Sequence, residues 1–160
     1  MELPRRIVAA AKLNEREQHE LQHILLARLP RNWDITWNNP AINDLYVLGE
    51  IGNEQCATVL RQIYPAIPAS DEDIAACVHS SVASIYNRLG VHQFEVAADA
   101  DLYFEDRTFA AMQLNDSDLQ RLRKLLLSRF PGDYDVKTLS DVDLLSEVGD
   151  ESKAKTLEAY

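Results

Sequence analysis

Apolar positions along the chain recur at helical spacing, and they do so twice in the same order. Leu21, Ile24, Leu25 and Leu29 fall on one side of a helix that begins at Asn14, and Leu122, Leu125, Leu126 and Phe130 repeat the stripe after Asn115. Both asparagines are natural N-caps, because a short side-chain oxygen can accept from amides that the first helical turn leaves unpaired. Pro30 and Pro131 end these helices, since proline has no amide to donate and crowds the preceding turn. A further helix is predicted over about residues 40 to 51, closed by Gly52, with Gly149 closing its counterpart, and third helices start near Glu54 and Glu151. Between the copies, Ser70, Asp71, Glu72 and Asp73 put three acids where a helix N-terminus favours negative charge, and a long helix runs from there to Leu89. The best strand pattern, Gln93-Phe94-Glu95-Val96, is short and runs into the Ala- and Asp-rich segment 97–102, so the predicted fold is all-α.

The recurrence is a duplication. Residues 6–35 match residues 107–136 at a constant offset of 101: Arg6-Ile7-Val8-Ala9-Ala10-Ala11-Lys12-Leu13-Asn14 aligns with Arg107-Thr108-Phe109-Ala110-Ala111-Met112-Gln113-Leu114-Asn115. Leu26-Ala27-Arg28-Leu29-Pro30 aligns with Leu127-Ser128-Arg129-Phe130-Pro131, and Trp33-Asp34-Ile35 with Tyr134-Asp135-Val136. The first copy then carries four extra residues, and the match resumes at offset 97, where Val47-Leu48-Gly49-Glu50-Ile51-Gly52-Asn53-Glu54 pairs with Leu144-Leu145-Ser146-Glu147-Val148-Gly149-Asp150-Glu151. The duplicated cores are about 6–54 and 107–151, within a single helical repeat domain over 1–160. Its first module is about 5–64, its middle segment 70–104 and its second module 105–160. The last helix stops about ten residues in, whereas its first-copy counterpart continues to about Tyr64, which points to a repeat fragment cut from something longer.

Leu48-Gly49-Glu50-Ile51-Gly52-Asn53-Glu54, followed by Ala57, Val59 and Leu60, resembles the helix-turn-helix of HEAT repeats of the phycobilisome-lyase type. The stretch through Gly149-Asp150-Glu151 resembles it too, and segment 71–90, with Asp73-Ile74-Ala75-Ala76 and terminal Leu89-Gly90, is similar to the next such helix, although Ala75 stands where an Arg is usual. The resemblance covers about half of the chain. It implies a HEAT-like α-solenoid of antiparallel helix pairs, whose stacked repeats leave extended faces for binding partners. It also implies an alternative, a phycobilisome-lyase-like chaperone module for a bilin or a subunit.

Charge narrows the partners. Sixteen Lys+Arg against twenty-six Asp+Glu leave −10, with a pI near 4.8, so nucleic acid and anionic membranes are disfavoured. Eleven acids against three Lys+Arg in residues 41–110 concentrate the charge there, a local −8 between flanks of +1 and −3. With 46% hydrophobic residues the chain can bury a core, and no apolar run approaches the ~18 residues of a membrane span. The five-residue apolar run after Arg5 and Arg6 is shorter than the roughly 7 to 15 of a secretory signal. Cys56 and Cys77 sit among apolar residues, as buried thiols in a reducing compartment do. A cytoplasmic protein is the expectation.

His19-Glu20-Leu21-Gln22-His23 satisfies the H-E-x-x-H pattern, in which two imidazoles one turn apart hold zinc and the glutamate activates water. The duplicate has Gln120, Arg121 and Lys124 at those positions, so the helix is built without metal, and at 100° per residue both histidines fall about 160° from Leu21 of the predicted buried stripe. A third ligand would have to be Glu50 or Asp44. The HEAT-like enzyme deoxyhypusine hydroxylase uses several His-Glu dyads, whereas this chain has the single dyad His19-Glu20. His79 and His92 are isolated, neither cysteine has a histidine partner, and Ser80-Ser81 lacks a glycine-flanked elbow. Zinc hydrolysis is therefore the least favoured function, and neither a metal nor another cofactor is implied.

Binding residues are read elsewhere. Trp37-Asn38-Asn39-Pro40 falls in or beside the four-residue insertion that the second copy lacks, so module packing does not require it, whereas Trp33 and Tyr134 recur and read as structural staples. Asp71, Glu72 and Asp73 cap a helix on the plain reading and dock a basic partner on the functional one. The function expected is a non-catalytic protein-binding scaffold contacting its partner through Trp37, Asn38, Asn39, Asp71, Glu72 and Asp73. Solenoid ends without polar caps often pair, so self-association is left open.

Overall fold

The computed structural model describes residues 3–29, 40–68, 71–129 and 136–149, and 82% of these are helical, with no strand among them. Two compact units cluster separately, Met1–Leu89 and Gly90–Tyr160. The first contains α1 (Leu3–Ala11), α2 (Glu15–Arg28), α3 (Pro40–Ile51), α4 (Glu54–Ile63), a 3₁₀ turn (Tyr64–Ala66) and α5 (Glu72–Leu89). The second contains α6 (Gln93–Ala98), α7 (Phe104–Ala111), α8 (Asp116–Ser128) and α9 (Val136–Val148). The long helix of the middle segment therefore belongs to the first unit and residues 90–104 to the second.

Capping explains where the helices begin. Asn14 Oδ1 accepts from the Glu17 amide at 3.0 Å while Glu17 Oε2 accepts from the Asn14 amide at 3.0 Å, a reciprocal box that satisfies two donors at the start of α2. Asn115 Oδ1 accepts from the Asp118 amide at 3.0 Å and so caps the start of α8. Asn53 begins α4 by accepting from the Cys56 amide at 3.0 Å. Gly90 and His92 both have positive φ, +68° and +54°, which ends the helical backbone of α5 at Leu89.

In the first unit α5 packs on both α3 and α4, and α4 packs on α5 rather than on α3. Gly49 permits the closest part of the α3–α5 crossing: a Cβ there would lie 3.3 Å from the Ser81 Cα. Ser81 Oγ lies within hydrogen-bonding reach of the Leu45 and Cys77 carbonyls, at 2.9 and 2.8 Å, so this mid-helix serine is a buried structural donor. Leu45, Leu48, Leu60, Val78 and Ile85 are inaccessible to solvent and form the core of this layer.

The duplication is visible in three dimensions. At offset 101, α1 and α2 superimpose in sequence on α7 and α8, and at offset 97 α3 falls on α9. The packing follows, α1 and α2 against α3 in one unit and α7 and α8 against α9 in the other. Leu25 and Leu126 are matching core residues, as are Leu48 and Leu145. The expected first stripe needs correction at Ile24. Ile24 is 54% exposed, and Gln22 is buried in its stead, because its amide caps α3: Gln22 Nε2 donates to the Ile51 carbonyl at 2.6 Å, and its Oε1 accepts from Asn53 Nδ2 at 3.0 Å. Arg123 plays that part in the second unit by donating from Nε to the Val148 carbonyl.

Candidate functional site

Each copy is held by one buried carboxylate shared between two arginines. In the first unit Asp44 is 1% exposed, with Arg6 Nη2 at 2.6 Å and Arg28 Nε at 3.5 Å. In the second, Asp141 is 2% exposed and receives Arg107 Nη2 together with Arg129 Nη1 at 3.2 Å. Arg6 and Arg107 correspond at offset 101, as do Arg28 and Arg129, while Asp44 and Asp141 correspond at offset 97. A buried charge survives only when it is paired and hydrogen-bonded. The pairing is therefore what lets three helices of each copy meet around a polar centre. The sequence held a signal for it, since carrying the offset of 97 three residues back from Val47 would have aligned the two aspartates. Asp44, considered as a third zinc ligand, is committed to Arg6 and Arg28 instead.

His19 and His23 are both exposed on the outer side of α2, with Nε2 atoms 3.1 Å apart and rings edge to face, 4.6 Å between centroids. Glu20 points to Arg16 at 3.2 Å, a surface pair. Among the described residues no group of three or more His, Cys, Asp or Glu is placed to hold a metal ion. His79 stacks on Tyr64, 4.1 Å between centroids. Cys56 is buried behind the start of α4, and desolvation pushes its thiol above the ordinary range against smaller opposing pulls from Asn53 and Arg88. Cys77 is half-buried, with Sγ 3.6 Å from the Tyr46 hydroxyl.

The residues expected to bind divide. Trp37, Asn38 and Asn39, and with them Trp33 and Tyr134, lie outside the described residues. Asp71 is half-buried at the head of α5, where its carbonyl accepts from the Ile74 and Ala75 amides, each at 3.1 Å, and Glu72 and Asp73 are exposed in the first turn. Of the other acids of the acidic stretch 41–110, Glu95, Asp99, Asp101, Glu105 and Asp106 belong to the second unit.

Two concavities and one surface were not foreseen. A shallow depression of about 430 Å³ in the second unit is lined by Phe94, Gln113, Asn115, Asp118 and Arg121, among others. Arg121 is already engaged there, 4.4 Å from the Phe94 ring centroid and 2.6 Å from Asp118. A groove of about 210 Å³ in the first unit runs along α1 and α2 and is lined by Arg6, Ala9, Ala10, Leu13, Leu21 and Leu25, with Val47 beneath. The surface lies at the end of α7, where Phe109 and the C-cap residue Met112, three residues apart, are 54% and 79% exposed, and Val8 at the position of Phe109 in α1 is also 54% exposed. No protein-family model, no curated protein and no solved structure matches this chain.

Proposed function

We propose that this chain is a protein-binding module, a non-catalytic scaffold of HEAT-like helical repeats. The observation that carries the reading is the exposed pair Phe109 and Met112 at the C-terminal end of α7, with Val8 matching Phe109 in the other copy. Large apolar side chains grouped on an outer helix face leave hydrophobic area that a partner surface would bury. Recurrence of helices, caps and the Arg–Asp–Arg centre at fixed offsets supports the repeat reading, because the charged interior is spent on building each module. Exposed Glu72 and Asp73, in a chain of net charge −10, favour a partner with a basic patch through long-range steering.

The test is affinity capture from lysate of the source cell at low and moderate salt, followed by reconstitution with the purified candidate. Retention of one stoichiometric protein is expected, lost in Phe109→Ser/Met112→Ser and weakened by salt and by Glu72→Gln/Asp73→Asn. Retention of nothing, or of a set that neither double variant alters, overturns the reading.

A further inference from the structure

The duplication supplies an internal comparison, because one copy of the module carries a helix on a face that the other leaves open. In the second unit α6 lies on α7 and α8. Its last carbonyls are taken by the two arginines of the buried cluster: Arg107 Nε donates to the Ala97 carbonyl at 3.2 Å and Arg129 Nη2 to the Ala98 carbonyl at 2.7 Å. Beneath α6, Arg107, Ala110 and Leu122 have no exposed surface. The corresponding residues of the first unit are Arg6, Ala9 and Leu21, and there Ala9 is exposed while Arg6 and Leu21 are half-buried. Among the described residues no helix of the first unit stands where α6 stands in the second, and the apolar groove of about 210 Å³ is what remains.

We infer that this α1/α2 groove receives a short helix of a partner protein, seated as α6 is seated, with its C-terminal carbonyls directed at Arg6 and Arg28. Two guanidiniums around the single carboxylate of Asp44 leave one positive charge in excess in the cluster that Arg6 joins to the groove it lines. That charge complements the negative end of a helix and an acidic residue just beyond it, as Asp99 follows α6. The Arg28 side chain is 54% exposed against 34% for Arg129, so it has donors to offer. The floor, Ala9, Ala10 and Leu13, admits an apolar face such as the Val96 and Ala97 edge that α6 buries. The partner helix is therefore short, apolar on one face, and acidic immediately after its C-terminus.

The inference rests on the protein-binding reading and is tested apart from it. A helix-stapled peptide of residues 91–101 of this chain is titrated into the full-length protein, followed by methyl and amide chemical shifts. Saturable shifts confined to Ala9, Ala10, Leu13 and Leu21 are expected below about 1 mM. Ala9→Glu should remove binding, because it buries an unpaired carboxylate on the floor. Arg28→Gln should weaken it about tenfold through loss of a charge-assisted hydrogen bond. Both positions are exposed, and circular dichroism checks that the fold is kept. Absence of shifts at that concentration, shifts elsewhere, or binding indifferent to Ala9→Glu overturns the inference. Concentration-dependent dimerisation abolished by Ala9→Glu also overturns it, by assigning the groove to a second copy. Capture of the cellular partner that survives Ala9→Glu while the peptide fails to bind removes the groove and leaves the protein-binding reading standing.

Discussion

A methyl group added at Gly52 would stand 2.4 Å from the Leu48 carbonyl oxygen and 2.7 Å from Ile85 Cδ1, and one at Gly149 would stand 2.4 Å from the Leu145 carbonyl oxygen. Neither glycine has positive φ, so each is required by the closeness of its neighbours and not by a left-handed cap. Gly52→Ala is expected to cost about 1–3 kcal/mol as overpacking, read as a lower urea midpoint at unchanged slope. Loss of less than about 0.5 kcal/mol would show that Ile85 yields freely. Asp141 and Asp44 differ in what their removal strands. Arg107 is wholly buried, whereas Arg6 is 27% and Arg28 54% exposed. Asp141→Ala should therefore approach the ~3–5 kcal/mol of a broken buried pair, and Asp44→Ala should cost less because water can reach its arginines. Equal losses in urea denaturation would contradict that ranking. The raised thiol of Cys56 adds a pH dependence. The folded state holds this proton longer than the unfolded chain, so its contribution is complete below the unfolded thiol's titration near pH ~8.5 and declines as pH rises through the folded value. Cys56→Ala should flatten the alkaline limb of a stability–pH curve, and an unchanged limb would assign the loss to other groups.

Helix starts were legible because their signal is local. Asn14, Asn53 and Asn115 each accept from an amide three residues on, a contact that needs no knowledge of tertiary structure. Asn14→Ala should cost about 1 kcal/mol, with faster amide exchange in the first turn of α2 as the readout. The solvent-facing placement of His19 and His23 was legible in the same way, from helical phase. His19→Ala/His23→Ala is expected to stay within about 0.5 kcal/mol of wild type. Stoichiometric zinc in protein purified without a tag, lost in His23→Ala, would reverse that assignment. What failed was the reading of Ile24 as core, since Gln22 is buried in its place. Hydropathy counts a glutamine amide as polar wherever it sits, whereas here both ends of that amide are satisfied by the junction of α3 and α4. The weak strand-like pattern at Gln93-Phe94-Glu95-Val96 is helical in α6, in keeping with the all-α reading, since six residues fit either period and the neighbouring helices decide.

At the scale of the whole molecule the sequence revealed the duplication but not its polar centre, because an alignment shows which residues recur and not which ones meet. Arg6 and Asp44 are 38 residues apart, Arg107 and Asp141 are 34 apart, and the difference is absorbed by the insertion between α2 and α3. The groove was invisible for a related reason: it exists as the difference between two burial patterns laid on one motif, Ala9 open and Ala110 closed. The division into units carries a last expectation. The two clusters share no residue and belong to separate compact units, so removing one carboxylate should leave the other cluster's energetics unchanged. The stability loss of Asp44→Ala/Asp141→Ala should then equal the sum of the single losses within about 0.5 kcal/mol. Hydrogen exchange provides the spatial control, with α1–α3 loosened by the first substitution and α7–α9 by the second. A coupling well beyond that margin, or loosening that spreads across both units from one substitution, would mean that the copies unfold as one and that the repeat is a feature of their ancestry rather than of their stability.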